Sequence, residues 1–363
     1  MIERIKIRNF KSIRDADVRL RDVNILIGGN GAGKSNFIAF FDLLHDVYQQ
    51  RLGEYMLRHG GVSRHLYGGP RVSDNIDAFI DFDNRNALYL RLAPSAVSGK
   101  AYSAETADYM NDANDDGKHY DRWHKQVWDR DVEESAMFLN NSPRMGYLRH
   151  DLQSVRVYHF HDSSELSQMR GKSHINDNKA LRADGGNLAS IIYRMRLTDE
   201  KSYCYLESVL RTVAPYFKRF VVEPDALDPQ KVVLKWEANN SDLYFDSFSF
   251  SDGTIRFLAL STLLLQPERP KTIIVDEPEL GLHPQAVQSF MGLVRRVSKT
   301  TQTILATQSP NLLSLVEPEN VIVVESTANG SKYSHLNEQE LSVWLEEYSL
   351  GDLWEKNLIG GQP

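Results

Sequence analysis

The chain has one cysteine, Cys204, so it cannot form an internal disulfide, and it reads as a protein of a reducing compartment. The neighbours Tyr203 and Tyr205 predict a buried or half-buried packing position for that thiol. Long apolar runs are also missing. The longest, LALSTLLL at 258–265, falls well short of the roughly 20 residues a membrane helix needs. The opening MIERIKIRNFKSI is charged and alternating, which excludes a signal or transit peptide. These absences predict a cytoplasmic protein without membrane contact. A basic excess is lacking as well. The net charge of −7 excludes a uniformly basic nucleic-acid coat but allows a local basic patch. No repeat of solenoid period and no low-complexity tract occurs.

What is present is a changing hydrophobic period. Ile2, Ile5 and Ile7 alternate with charges and predict a strand with one wet face, and Val18 and Leu20 predict a second strand. Val23–Ile27 is a compact buried strand. From Lys34 the period becomes helical, with Phe37, Ile38, Phe41, Leu44 and Tyr48 on one face. Ile76–Phe82 and Ala87–Leu92 read as strands joined by a turn at 83–86. The polar, acidic stretch from Thr106 to Ser135 carries Trp123 and Trp128, which disorder usually lacks, and reads as an insertion with some helix. Beyond residue 150, predicted strands (155–160, 232–236, 244–250, 272–276, 302–306, 320–324) alternate with predicted helices (187–197, 203–213, 253–265, 284–297). That alternation predicts an α/β fold with a largely parallel core sheet.

Gly28-Gly29-Asn30-Gly31-Ala32-Gly33-Lys34-Ser35 matches G-x-x-x-x-G-K-[ST] between a buried strand and a helix. Glycines let the backbone turn tightly and aim N–H groups at anionic oxygens. The helix start adds its positive end. Lys34 supplies a cation for β- and γ-phosphates, and Ser35 a hydroxyl for Mg²⁺. The expected ligand is ATP with Mg²⁺. Thr272–Val275 is an apolar strand ending in Asp276 and Glu277. Such a strand sets Asp276 at the carboxyl edge of the sheet to hold Mg²⁺, with Glu277 polarising a water for in-line attack. Ser251-Asp252-Gly253-Thr254 precedes an apolar helix, where Ser251 and Gly253 serve either as an anion site or as an ordinary N-cap.

Together these motifs resemble the ABC-type ATPases of the SMC/RecF/OLD-like class, in particular a group of bacterial predicted ATPases linked to phage defence. The resemblance spans most of the chain and is strongest at 1–45 and 245–325. Ile7-Arg8-Asn9-Phe10-Lys11-Ser12-Ile13 resembles the family's opening turn, which implies that Lys11 and Ser12 approach the nucleotide. Asn30, Gly31, Ala32 and Asn36 belong with the phosphate loop. Ser251–Thr254 stands at the signature motif, Asp276–Pro284 resembles the Walker B strand and D-loop, and Gln308 stands at the switch position. Leu350-Gly351-Asp352-Leu353-Trp354 with Gly360-Gly361 resembles the close of this subgroup.

The resemblance implies an ABC-type P-loop ATPase head with a mostly parallel core sheet, an N-terminal antiparallel subsheet and an inserted mixed α+β arm. The ATPase domain would be discontinuous, 1–48 and 151–363, with 49–150 as an arm for dimerisation or partner binding. It also implies a head-to-tail dimer, or higher oligomer, with two ATP molecules sandwiched between subunits. Catalytic roles fall to Glu277, Gln308 and Lys34, and Mg²⁺ to Ser35 and Asp276. Two departures matter. The signature reads Ser-Asp-Gly-Thr, and Gln308 replaces a histidine that many relatives have. Glutamine can hydrogen-bond a phosphate or a water but cannot take a proton as imidazole does, so turnover is expected to be slow.

The expected partners are a second copy and a separate effector, such as a nuclease or toxin, since no segment remains for a fused nuclease domain. The alternatives are a nucleotide-clamped scaffold with little turnover, or a DNA-maintenance ATPase. Arg51, Arg58, Arg64, Arg71, Arg144, Arg149 and Arg170 either converge on DNA phosphates or form surface ion pairs. Gln153 is a candidate for the family's Q-loop glutamine. His159, His161 and Asp162 read either as a zinc cluster or as a strand end near the nucleotide, and His119 and His124 read as solvated.

Overall fold

The computed structural model describes residues 1–83, 86–94, 101–110, 124–135, 137, 143–239 and 241–362. Asn84, Arg85, His119 and Trp123 lie outside the described residues, as do the side chains of His124, Trp128 and Arg144. The chain opens with β1 (Ile2–Phe10), β2 (Ile13–Arg19) and β3 (Val23–Ile27), followed by α1 (Lys34–Tyr48) and α2 (Leu52–Arg58). Next come β4 (Ile76–Phe82), β5 (Asn86–Pro94), β6 (Ala101–Met110) and β7 (His124–Val132). Then follow α3 (Pro143–Gln153), β8 (Val155–Tyr158), the short β9 (Ser173–His174), α4 (Leu188–Thr198) and α5 (Glu200–Val213). A small sheet uses β10 (Phe217–Pro224), β11 (Lys231–Ala238) and β12 (Tyr244–Asp246). The remainder runs α6 (Asp252–Leu265), β13 (Thr272–Asp276), α7 (Pro284–Val297), β14 (Gln302–Thr307) and α8 (Pro310–Leu313). It continues with β15 (Val321–Thr327), β16 (Gly330–His335), α9 (Glu338–Leu345) and α10 (Leu350–Glu355).

The core sheet has the order β16-β15-β3-β14-β13-β8 and is parallel except for β16. Its central strands are buried on both faces, as parallel strands covered by helices must be. Alternation divides them between two cores. Ile25, Ile27, Ile273, Val275 and Leu305 face α4–α7, while Leu26, Ile274, Ile304 and Ala306 face α1 and the antiparallel sheet. That second sheet has the order β2-β1-β4-β5-β6-β7. The fold class is therefore the expected one, an α/β fold with a mostly parallel core sheet and an N-terminal antiparallel subsheet. Strands from the 49–150 region are built into that subsheet, because β4 pairs directly with β1.

Several local expectations are corrected. Where the Thr106–Ser135 stretch is described it holds no helix: residues 106–110 and 124–132 are strand, with β6 pairing β7. The strand expected over 244–250 stops at Asp246, whose side chain accepts the Phe248 N–H and starts a 3-10 turn at Ser247–Ser249. Cys204 is exposed. On α5 the inward positions are Leu206, Glu207, Val209 and Leu210, and a residue two positions before Leu206 points away from them.

One buried side chain staples the two large sheets together at the start of β14. Gln302 at the start of β14 donates to the carbonyls of Ile2 (2.7 Å) and Arg21 (2.9 Å). Its oxygen accepts from the Ile2 N–H (3.1 Å) and the Thr272 hydroxyl (3.1 Å). Replacing it with leucine keeps the volume but strands buried backbone groups. Gln302→Leu is expected to cost about 2–4 kcal/mol. Urea unfolding would measure this, and a loss below about 1 kcal/mol would show that the staple is dispensable.

Candidate functional site

Parallel register brings three loops to one edge. Ile27 pairs with Thr307, and Ala306 pairs with Asp276. The chain therefore leaves β3 as the phosphate loop, β13 as Asp276-Glu277 and β14 as Thr307-Gln308, side by side at the carboxyl ends of adjacent strands. Ligands of open α/β sheets bind at that edge.

The loop closes tightly onto α1. Gly33 has φ of 122°, a conformation L side chains rarely adopt, and a Cβ there would run into the Ser331 hydroxyl. Lys34 is buried and donates to the carbonyls of Gly28 (2.6 Å) and Gly29 (3.0 Å). Burial lowers its pKa, while Asp276, Glu277 and Glu279 pull the other way. Ser35 donates its hydroxyl to Asp276 at 2.9 Å. Burial raises the Asp276 carboxyl, against that hydrogen bond. A hydroxyl and a carboxylate oxygen at this spacing are hard oxygen donors of the kind Mg²⁺ takes.

Glu277 adopts φ of 47° just beyond β13, and its N–H is held by the Ala306 carbonyl at 2.8 Å. Gln308 donates to Glu277 at 3.1 Å and to Asn30 at 2.8 Å. One amide thus joins the ends of all three strands. Lys11 (φ 50°) and Ser12 form the turn between β1 and β2. Ser12 accepts from Asn36 at 2.7 Å and shares a hydrogen bond with Ser331 at 2.7 Å. Ser12 thus links β16 to Asn36 at the start of α1. Ser331 and Tyr333, whose hydroxyl donates to the Gly33 carbonyl at 3.0 Å, were not legible beforehand. Nothing local in β16 marks them.

Ser251 is the N-cap of α6, accepting from the Thr254 N–H, so the capping reading holds as local structure. Asp252 and Gly253 open the helix, and the hydrogen bonds of this turn run to other segments. Arg170 donates to the Ser163, Ser247 and Phe250 carbonyls and to the Asp252 carboxylate at 2.8 Å. Arg256 donates to the carbonyls of Phe160, His161 and Leu280. The Arg170 side chain is only 3% exposed, which removes it from the expected DNA-facing set. Arg51 and Arg58 pair with Asp46, which favours ion pairing for those two.

Gln153 lies at the amino end of β8, away from the site edge, and donates to the Tyr48 hydroxyl. The segment at the carboxyl end of β8 is His159–Asp162. His159 lies 3.6 Å from Asp42 of α1, and that carboxylate raises its pKa. Among the described residues, no group of three or more His, Cys, Asp and Glu side chains is placed to hold a metal ion. Also among them, no helix is long and apolar enough to cross a membrane.

The family model described as "AAA domain, putative AbiEii toxin, Type IV TA system" matches residues 116–314, more than half of the chain. The chain belongs to this family. A model described as "AAA ATPase domain" matches residues 1–121. The Old nuclease of Escherichia phage P2 is 22% identical over 366 residues, covering 90% of this chain and 59% of that protein. The energy-coupling factor transporter ATP-binding protein EcfA2 of Streptococcus pyogenes serotype M5 (strain Manfredo) is 29% identical over 108 residues, 29% of this chain and 38% of that protein. The chain thus spans less than two thirds of the length of these curated relatives. An SMC head bound to the C-winged helix domain of ScpA superposes with a TM-score of 0.63 at 15% identity, covering 94% of this chain and 99% of that one. An SMC head with an extended coiled coil, bound to the C-terminal domain of ScpA from Pyrococcus furiosus, gives a TM-score of 0.55 at 15% identity, covering 95% and 98%. By family this is an AAA-type ATPase domain, and its fold is that of an SMC head.

Glu279 adds a pH-dependent element. Its Oε1 accepts from the Thr307 hydroxyl at 2.5 Å, and its Oε2 is buried with no partner among the described residues. Burial raises its pKa above the ordinary 4.5. The folded state therefore holds this proton more tightly than the unfolded chain does. The resulting stability is present below the ordinary carboxylate range and is lost as pH rises through the raised value. Glu279→Gln, which cannot titrate, should gain stability relative to the parent as pH goes from about 4 to about 7. Urea midpoints at stepped pH check this, and a constant difference between the two proteins would refute it.

Proposed function

We propose that this chain binds ATP with Mg²⁺, hydrolyses it slowly, and dimerises on the nucleotide to control an effector in prokaryotic anti-phage defence. One observation carries the reading: the phosphate loop, the Ser35–Asp276 pair and the Glu277–Gln308 pair meet at one sheet edge. Lys34 exchanges the Gly28 and Gly29 carbonyls for β- and γ-phosphate oxygens. The main-chain N–H groups from Gly31 to Ser35 surround the same anion. Ser35 and Asp276 would hold a magnesium ion, which would supply neutralisation of the phosphate charge. Glu277 takes the proton of the attacking water, and Gln308 orients that water by hydrogen bonding.

Ser251–Thr254 acts on the nucleotide of a second copy, offering the positive end of α6. Exposed Phe248 and Leu280 flank that helix start and support coverage by another subunit. The family's toxin description and the phage origin of the Old nuclease support a role in defence. We assign the effector to a separate protein. Co-purification from the native host tests this, and degradation of DNA by the isolated chain would rule it out. The hydrogen bond from Gln308 to Glu277 favours a second reading, a nucleotide-clamped scaffold with little turnover.

Glu277→Gln separates the two. Under the hydrolytic reading it lowers the ATPase rate by roughly 10²–10⁴ and accumulates an ATP-dependent dimer that the parent does not. Phosphate release and size-exclusion chromatography read both effects. Equal dimerisation of parent and variant, with no turnover in either, would support the clamp instead.

A further inference from the structure

The segment 349–361 carries the Leu-Gly-Asp-Leu-Trp and Gly-Gly motifs, and the reading above gives it no role. Its placement is specific. Helix α10 begins with a reciprocal cap between Ser349 and Asp352. Leu350, Leu353 and Trp354 sink into the core facing α4–α7. Gly351 lies so close to α8 that a Cβ there would meet the Pro310 carbonyl and the Ser314 hydroxyl. The Ser349 and Ser314 hydroxyls share a hydrogen bond at 3.0 Å. Helix α8 directly follows the switch residue, and its N-cap Ser309 bonds back to Thr307 at 2.9 Å. After α10 the chain turns back, with the Leu358 N–H on the Leu353 carbonyl and Gln362 on the Trp354 carbonyl. Gly360 and Gly361 then cross to the phosphate loop, where the Gly361 carbonyl accepts the Gly29 N–H at 2.5 Å.

That hydrogen bond completes a pattern. The carbonyl and N–H of the Gly28–Gly29 peptide belong to one rigid trans unit and point in opposite directions. The carbonyl is held by Lys34 on the nucleotide side, and the N–H by Gly361 on the other. When Lys34 leaves for a phosphate, the bond to Gly361 is the remaining hydrogen bond on this peptide among the described residues.

We infer that residues 349–361 form a positioning strap. It fixes the Gly28–Gly29 peptide plane and ties the phosphate loop mechanically to the switch segment through α10 and α8. The inference rests on the reading of Gly28–Ser35 as an ATP site. The strap works by preorganisation. It spares nucleotide binding the ordering of a glycine-rich loop and transmits a shift at Gln308 to that loop.

The test uses the full chain. Gly361 has φ of 80°, and a Cβ there would lie 3.0 Å from Val323 and 3.4 Å from Gly28 Cα. Gly361→Val therefore displaces the strap at the loop. The expected result is about tenfold weaker binding of a fluorescent ATP analogue, with faster hydrogen exchange over 24–36. The parent supplies a second measurement that needs no variant: ATP should slow exchange over 355–362 as well as over the loop. A parent that binds ATP without any change at 355–362, together with a variant of parental affinity, overturns the strap and leaves the ATP site standing. A parent that does not bind ATP overturns the site reading and the strap with it.

Discussion

The structure depends on the parallel pairing of β13, β14 and β3. Residue-for-residue register places Asp276 beside Ala306 and Thr307 beside Ile27, so three chain crossings emerge at one level. A slip of one residue along any of these strands would exchange its two core faces and withdraw its loop from the site. The alternation of Ile273, Ile274 and Val275 between separate cores makes such a slip costly. The hydrophobic pattern that folds the sheet therefore also aligns the chemistry.

Around that edge the polar groups are held by one another. Ser12, Asn36 and Ser331 form one chain of hydrogen bonds, and Asn30, Gln308 and Glu277 form another. The turn at the start of α6 is organised differently. Two buried arginines, Arg170 and Arg256, gather carbonyls from 160–164, 247–250 and 280 around the start of α6. Desolvated guanidinium groups persist there because many acceptors replace water. These segments are consequently bound to each other more firmly than their surface position implies.

Much of this was legible in the sequence because its causes are local. The phosphate loop is set by glycine spacing, β13 by an apolar run ending in two acids, and α7 by Pro284 at its first turn. Where the cause is distant, the sequence is silent. Tyr333 reaches the Gly33 carbonyl across three hundred residues, and no feature of β16 predicts it. Arg170 reads as a surface cation because arginine usually is one. β6 and β7 were missed because their polar, acidic residues weaken the two-residue period. The outward turn of Cys204 was hidden by its aromatic neighbours, which pack at half-buried positions on either side.

β14 carries an inter-sheet staple at one end and leads into Gln308 at the other. Gln302 and Gln308 lie six residues apart, a span of about 20 Å along an extended strand. The strand is hydrogen-bonded on both sides to parallel neighbours, and its first residue is clamped to the second sheet. It behaves as an anchored rod, stiff along its axis. The Gln308 side chain can swing and the chain beyond Thr307 can bend, but sliding lengthwise would tear the anchor. The anchor thus leaves Gln308 free to move sideways across the mouth of the site but not along the strand.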